Sequence, residues 1–289
     1  MIDIHMHVGR WGIRREPAVD GDELVRRMDE LGIDKAVLLP VGISPESFML
    51  DSGNRETLDA YHQHRDRFVP FCNLDPRSGN SSTLDFSWVL EEYREAGCRG
   101  VGEITANVPF DDPRCLNLFC HCGAAGLPVL FHLATGVVEG LYGLADERGM
   151  PRLERALQEC RGTVFIGHAQ AFWAEIAADV DEAERGGYPK GPVRAPGRVP
   201  ELLIRYPDLY ADLSAGSGFN AISRDAEFGY RFLEEHQDKL LFGTDICHVG
   251  QPVEIVAYLN EARQSARISE GCYQKVTHAN AVRLLRLEG

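Results

Sequence analysis

Eight short runs of apolar and β-branched residues, each ending near a polar or turn residue, set the tightest limit on how this 289-residue chain folds. They span 2–7, 36–40, 68–74, 100–105, 128–132, 163–168, 209–213 and 240–245. Their ends lie 33, 34, 31, 27, 36, 45 and 32 residues apart, about the length of a strand, a helix and two loops. Residue identity does not repeat at that period, so the rhythm is one of architecture and not of a solenoid. Helical patterns fill the gaps. In 20–31, Leu24, Met28 and Leu31 share one stripe and Gly32 supplies a stop. Further helices are expected over 56–64, 84–96, 115–125, 152–160, from Pro200, and over 227–236, 252–262 and 273–287.

Eight strands alternating with helices, and buried on both faces, predict one α/β domain over 1–289: a closed (β/α)8 TIM barrel with a C-terminal helix. An open doubly wound sheet holds six such strands more comfortably than eight. No G-x-G-x-x-G or Walker A sequence follows any strand, so the nucleotide-site signal is missing. The longest departure from the rhythm is 169–199, a loop after the sixth strand dense in glycine and proline. On a barrel it projects from the catalytic face, beside 135–150, where it either covers the pocket or makes a plain surface excursion.

Lys and Arg number 30 against 44 Asp and Glu, a net charge of -14, with no basic stripe or aromatic ladder. That balance argues against nucleic acid and anionic membrane as partners and leaves a small molecule. A homodimer is a base-rate expectation only. No apolar run approaches the roughly 20 residues that cross a bilayer, and the N-terminal run reads as a strand and not as a secretory leader. The eight cysteines are therefore expected as reduced thiols in a cytoplasmic protein, with Cys115, Cys120 and Cys122 as small core residues on a helix.

The ends of the strands carry the chemistry. His5 and His7 alternate on one strand and share a face, with Ile4, Met6 and Val8 expected toward the helices. Apolar runs end in His132 and in His168, another ends in Asp245, and Glu103 lies near the end of the fourth. A barrel collects those ends in one ring. Burying so many polar groups without compensation costs several kcal/mol, whereas a dication satisfies them.

The segments Asp3-Ile4-His5-Met6-His7, Phe131-His132, Ile166-Gly167-His168 and Leu241-Phe242-Gly243-Thr244-Asp245 resemble the metal-dependent amidohydrolase superfamily. Within it the chain is similar to the amidohydrolase-related branch that includes aminocarboxymuconate semialdehyde decarboxylase-like proteins. The closing run from Val276 through His278, Asn280 and Leu285 adds to a likeness that covers essentially the whole chain. The resemblance implies His5, His7 and His132 as metal ligands, with Asp245 binding the metal or taking a proton from its water. It implies His168 as a ligand to a second ion or as a group acting on water or substrate, and Glu103 as a bridge between two ions. Zn2+ is the expected ion, with Mn2+, Co2+ and Fe2+ compatible with the same donors.

Two activities follow from that resemblance. One is hydrolysis of a small amide, ester or lactone by metal-activated water, with Asp245 and His168 as catalytic groups. The alternative is non-oxidative decarboxylation of an aromatic or unsaturated acid, with one metal per chain. A noncatalytic metal-dependent binding protein is a third class. Arg10, Trp11, Arg14, Asn73, Thr105, Asn107, Phe172, Trp173, Ser214 and His248 are further candidates for lining the mouth, each with an ordinary packing or surface role as the alternative.

Overall fold

A computed structural model describes residues 1–11 and 17–287. The barrel strands are β1 (Ile2–Met6), β2 (Lys35–Leu38), β3 (Phe68–Pro70), β4 (Val101–Ile104), β5 (Val129–Ala134), β6 (Phe165–His168), β7 (Leu209–Asp212) and β8 (Leu240–Leu241). All neighbours run parallel, in the paths β1–β2–β3 and β4–β5–β6–β7–β8. Two bridges close the ring: Cys72 pairs with Val101 between the ends of β3 and β4, and Met6 pairs with Ile246 beyond β8. Eight strands in sequence order around a closed ring are the barrel expected from the rhythm.

The first helix shows why these segments fold as they do. Gly21–Leu31 begins where the Asp20 carboxylate accepts the Glu23 N–H, and ends where Gly32 adopts φ 69°, a left-handed conformation that costs glycine little. Pro113–Ala125 ends the same way at Gly126, and Pro151–Glu159 opens on proline. The expected closing helix is divided into Glu270–Gln274, a π-helical turn Lys275–Ala279 and Asn280–Leu285. Two further helices, Gln170–Ala174 and Ala215–Ser223, sit behind β6 and β7.

Side chains alternate across the barrel wall. Val37, Leu39, Val69, Phe71, Leu130, Ile166 and Leu241 fill the interior, and Ala281 and Leu285 of the last helix join that cluster. Ala36, Leu38, Phe68, Phe131, Phe165, Leu209 and Phe242 face the helices. Strand β1 breaks the alternation. Ile4 packs in the interior cluster, contrary to the outward position expected from strict period two, while Met6 and Val8 face the helices. The pairing register shifts between Asp3 and Met6, and that irregularity lets Ile4 and His5 both serve the interior side. A second shift, between Val101 and Ile104, leaves both of those residues on the helical side and frees Glu103 for the interior.

One cysteine expectation is corrected. Cys120, on Pro113–Ala125, and Cys160, the cap of Pro151–Glu159, form a disulfide, their Cα atoms 4.9 Å apart. The two helices are neighbours around the barrel, and 40 residues of intervening sequence hide that proximity. Cys115 and Cys122 are buried free thiols, as expected, together with Cys72, Cys98, Cys247 and Cys272. Among the described residues no helix is long and apolar enough to cross a membrane.

Candidate metal centre

The C-terminal ends of β1, β4, β5, β6 and the segment after β8 deliver the six residues singled out above to one place. His5 Nε2 lies 2.9 Å from His7 Nε2, and Asp245 Oδ1 lies 3.5 and 3.1 Å from those two nitrogens. Glu103 Oε2 stands 3.6 Å from His5 Nε2 and 3.7 Å from His7 Nε2. His168 Nε2 is 3.8 Å from the other oxygen of Glu103, and that oxygen accepts a 2.7 Å hydrogen bond from His132 Nδ1. All but Asp245 are almost wholly buried; the Asp245 side chain keeps 25% of its surface exposed.

Each imidazole is held by Nδ1. His7 Nδ1 donates to the Leu39 carbonyl at 2.8 Å, His132 Nδ1 to Glu103, and His5 Nδ1 to Asp212 Oδ2 at 2.6 Å. The Ser214 hydroxyl donates to Asp212 Oδ2 at 2.7 Å, which leaves its oxygen to accept from His168 Nδ1 at 3.1 Å. With Nδ1–H committed, Nε2 of every ring is the atom with a free lone pair, the arrangement that outer hydrogen bonds impose on metal-ligating histidines.

The electrostatics of the side chains alone put a proton on His5 where a cation would otherwise sit. Burial pushes Glu103 up, but hydrogen bonds from His132 and His5 and the charge of His5 outweigh it and hold the carboxyl well below the usual range. Asp212 and Asp245 are likewise raised by burial and brought below their ordinary values by the neighbouring histidines. Burial lowers His5, yet Asp245 and Asp212 carry it well above the usual imidazole value. His132, with burial as the main cause, lies below it. Three ionised carboxylates thus surround His5.

This donor set fits a divalent cation. His5, His7 and Asp245 each place one donor atom within 4.8 Å of the others, as do His5, Glu103 and His168. Two imidazole nitrogens 2.9 Å apart, each with its lone pair turned inward, need a proton or a cation between them. Tetrahedral donors about 2.0–2.2 Å from one ion lie about 3.3–3.6 Å from each other, near the 3.1–3.7 Å carboxylate-to-imidazole separations found here. Both triads include His5, which joins them in one cluster.

Sequence reasoning missed Asp212. It is fully buried at the end of β7, and a weaker form of the signal that picked out His132 and His168 was present, an acid one residue before the end of an apolar run. Ser214, an expected lining residue, ties Asp212 to His168. Asn73 donates to the Pro40 and Glu103 carbonyls, steadying the β4 end, and Asn107 donates to the Gly136 and Gly143 carbonyls. Thr105 is buried, and His248 lies outside the two donor groups, near the Val249 carbonyl. Phe172 and Trp173 pack in the core, and Trp173 Nε1 donates to the Asp212 carbonyl at 2.7 Å. Arg10 and Trp11 form a short antiparallel strand with Met49–Leu50; Arg14 lies outside the described residues. Three non-glycine residues with positive φ, Ala169 (91°), Ala215 (59°) and Asp245 (58°), sit at the ends of β6, β7 and β8. Such backbone is costly and persists where its surroundings over-determine the direction of a side chain.

Beside His132 opens a cavity of about 190 Å3 lined by Thr135, Leu141, Tyr142, Gln170 and Gly186 among others. The Tyr142 ring centroid is 4.4 Å from that of His132. The 169–199 excursion supplies one wall. Its fully buried Arg185 donates to Glu175 Oε1 at 2.5 Å and to the Asp146 carbonyl at 2.7 Å, pinning the excursion to the loop after β5.

A closed parallel barrel with a metal-binding cluster beside a small cavity at its C-terminal mouth defines a metal-dependent enzyme acting on small molecules. The chain belongs to the amidohydrolase family, whose model matches residues 2–287. No curated protein matches it. Solved structures similar in fold include a probable 2-pyrone-4,6-dicarboxylic acid hydrolase from Acinetobacter baumannii with citric acid bound (15% identity, TM-score 0.61, 99% of each chain covered). Another is an amidohydrolase from Burkholderia multivorans with bound zinc (15%, 0.65, 99% of each chain). A third is a dihydroxybenzoic acid decarboxylase from Polaromonas sp. JS666 with bound manganese and the inhibitor 2-nitroresorcinol (17%, 0.58, 99% of this chain and 96% of that one).

Proposed function

We propose that this protein is a mononuclear metal-dependent, non-oxidative decarboxylase of a small aromatic or unsaturated carboxylic acid, within the aminocarboxymuconate semialdehyde decarboxylase-like branch. The observation that carries the reading is the use made of Glu103. One oxygen accepts from His132 and the other faces His5 and His7, an arrangement that favours one ion over a bridged pair. The likeness to dihydroxybenzoate decarboxylases points the same way. Among the described residues the cavity lining holds no Lys or Arg, and a bound cation would meet a substrate carboxylate there.

His5, His7, Glu103 and Asp245 would hold the ion, which we propose to be Zn2+, with Mn2+ compatible with the same nitrogen and oxygen donors. When bound, the cation supplies positive charge that orients the substrate's oxygens and stabilises charge developing on them. The chain's own groups manage the proton. His168 presents Nε2 to the site while its Nδ1–H rests on Ser214, with the Asp212 carboxylate 3.1 Å away. His168 Nε2 delivers a proton to the carbon bearing the carboxylate. The bond from that carbon to the carboxylate then breaks, its electron pair stays with the ring or double bond, and CO2 leaves. Asp245, partly open to solvent, is placed to return a proton to the site. Leu133, Leu141 and Tyr142 give the cavity an apolar wall suited to a flat ring.

Hydrolysis of an ester or lactone is the second reading, favoured by one feature: an ionised, partly exposed Asp245 beside His7 is placed to take a proton from water. Incubating the metal-loaded protein with a panel of hydroxybenzoates, unsaturated acids, lactones and esters separates the two. CO2 release without water-derived oxygen in the product supports decarboxylation. A ring-opened or cleaved acid with no CO2 rejects it.

A further inference from the structure

The carboxylate of Asp212 touches two histidines at once. Its Oδ2 accepts from His5 Nδ1 at 2.6 Å and from the Ser214 hydroxyl at 2.7 Å, and stands 3.1 Å from His168 Nδ1. Its Oδ1 accepts the Ser214 backbone N–H at 2.8 Å, which fixes the plane of the carboxylate. Its own carbonyl receives the Trp173 indole N–H, so the excursion after β6 is anchored to the same residue. The fit leaves no slack: a Cβ at Gly243 would fall 2.7 Å from Oδ1 and 2.8 Å from the Ser214 Cβ. His5 and His168 have ring centroids 4.4 Å apart, and neither ring has another anionic partner at Nδ1 among the described residues.

We infer that Asp212 is the positioning residue of this centre, a single carboxylate that sets the Nε2-inward tautomer of both His5, in the cation site, and His168, the proton carrier. It reaches His5 directly and His168 largely through Ser214, so the two branches are separable. The His5 branch stands on geometry alone; the His168 branch rests on the role given to His168 above. Loss of an outer partner of this kind costs about 10- to 100-fold in metal affinity or activity.

The test uses the full chain, stripped of metal and titrated with Zn2+ against a chromophoric chelator, with turnover then measured at saturating Zn2+. Asp212→Asn is expected to weaken Zn2+ binding about 10- to 100-fold and to lower kcat even when the site is full. Ser214→Ala is expected to leave Zn2+ affinity within about threefold while lowering kcat more than it raises KM. Wild-type Zn2+ affinity in a folded Asp212→Asn variant overturns the inference, and so does an equal loss of affinity in Ser214→Ala. If Asp212→Asn does not fold, 15N spectra of labelled histidine in the wild-type chain decide. With Zn2+ bound, rings protonated at Nδ1 are expected at His5 and His168, and a ring protonated at Nε2 alone at either overturns the assignment. Absence of CO2 release together with lost Zn2+ affinity in Asp212→Asn rejects the decarboxylase reading and leaves the His5 branch standing.

Discussion

Replacing Glu103 by glutamine removes one negative charge and almost nothing else. The amide oxygen still accepts from His132 Nδ1, so the shape of the site and the tautomer of that ring survive. The charge is the loss. A unit charge 3.6–3.7 Å from the two ligand nitrogens interacts with a positive charge between them by about 4.5 kcal/mol at an effective dielectric near 20. Part of that is recovered, because the amide costs less than the carboxylate to keep out of water. A net loss of about 3 to 4 kcal/mol follows, or roughly 100- to 1000-fold in the affinity for a dication. Chelator competition on the metal-free variant reads that number, with far-UV circular dichroism confirming the fold. Affinity within about threefold of the wild type would refute the assignment of Glu103 to the cation and make it merely a partner of His132.

Three further outcomes are expected. Alkylation of the denatured, unreduced chain labels six of the eight cysteines, and reduction destabilises the native state by up to about 4 kcal/mol, the value for a 40-residue loop; eight labels would rule out the Cys120–Cys160 bond. His236 is buried against Phe232, and burial holds its pKa below the usual 6.5, so below that pH the unfolded chain binds the proton more readily than the native one. Stability is therefore lost as pH falls from neutrality through 6.5 toward the folded value, and His236→Gln should flatten that decline in urea melts; an unchanged slope contradicts the reasoning. Leu285→Ala empties part of the plug under the barrel interior and should cost about 2 to 4 kcal/mol while leaving Zn2+ affinity unaltered; coupled loss of both would show that the plug shapes the metal centre.

The barrel was legible because its strands announce themselves by apolar runs of strand length, several of which end on a histidine or acid. His132 and His168 could be placed from their own five-residue contexts. Asp212 obeyed the same rule but stands one residue inside a run that ends on Leu213, and a lone acid within apolar sequence reads equally well as a strand margin. The inward turn of Ile4 and Glu103 follows from register shifts in β1 and β4, which period-two reasoning does not contain. Helix Ala215–Ser223 begins Ala-Gly-Ser-Gly, a poor helix former; Gly218 is needed there because a Cβ would meet the Leu213 backbone at 2.3 Å. The division of Glu103 between His132 and the cation site depends on which oxygen faces which ring, and no spacing in the sequence encodes that.

The proposed activity requires one cation to be shared by residues that lie up to 240 positions apart, from His5 to Asp245. Anomalous diffraction at the zinc edge from crystals grown with Zn2+ measures this directly. A single peak per chain among His5 Nε2, His7 Nε2, Glu103 and Asp245 is the predicted result. Two peaks bridged by Glu103, or no peak within reach of His5 and His7, would contradict it.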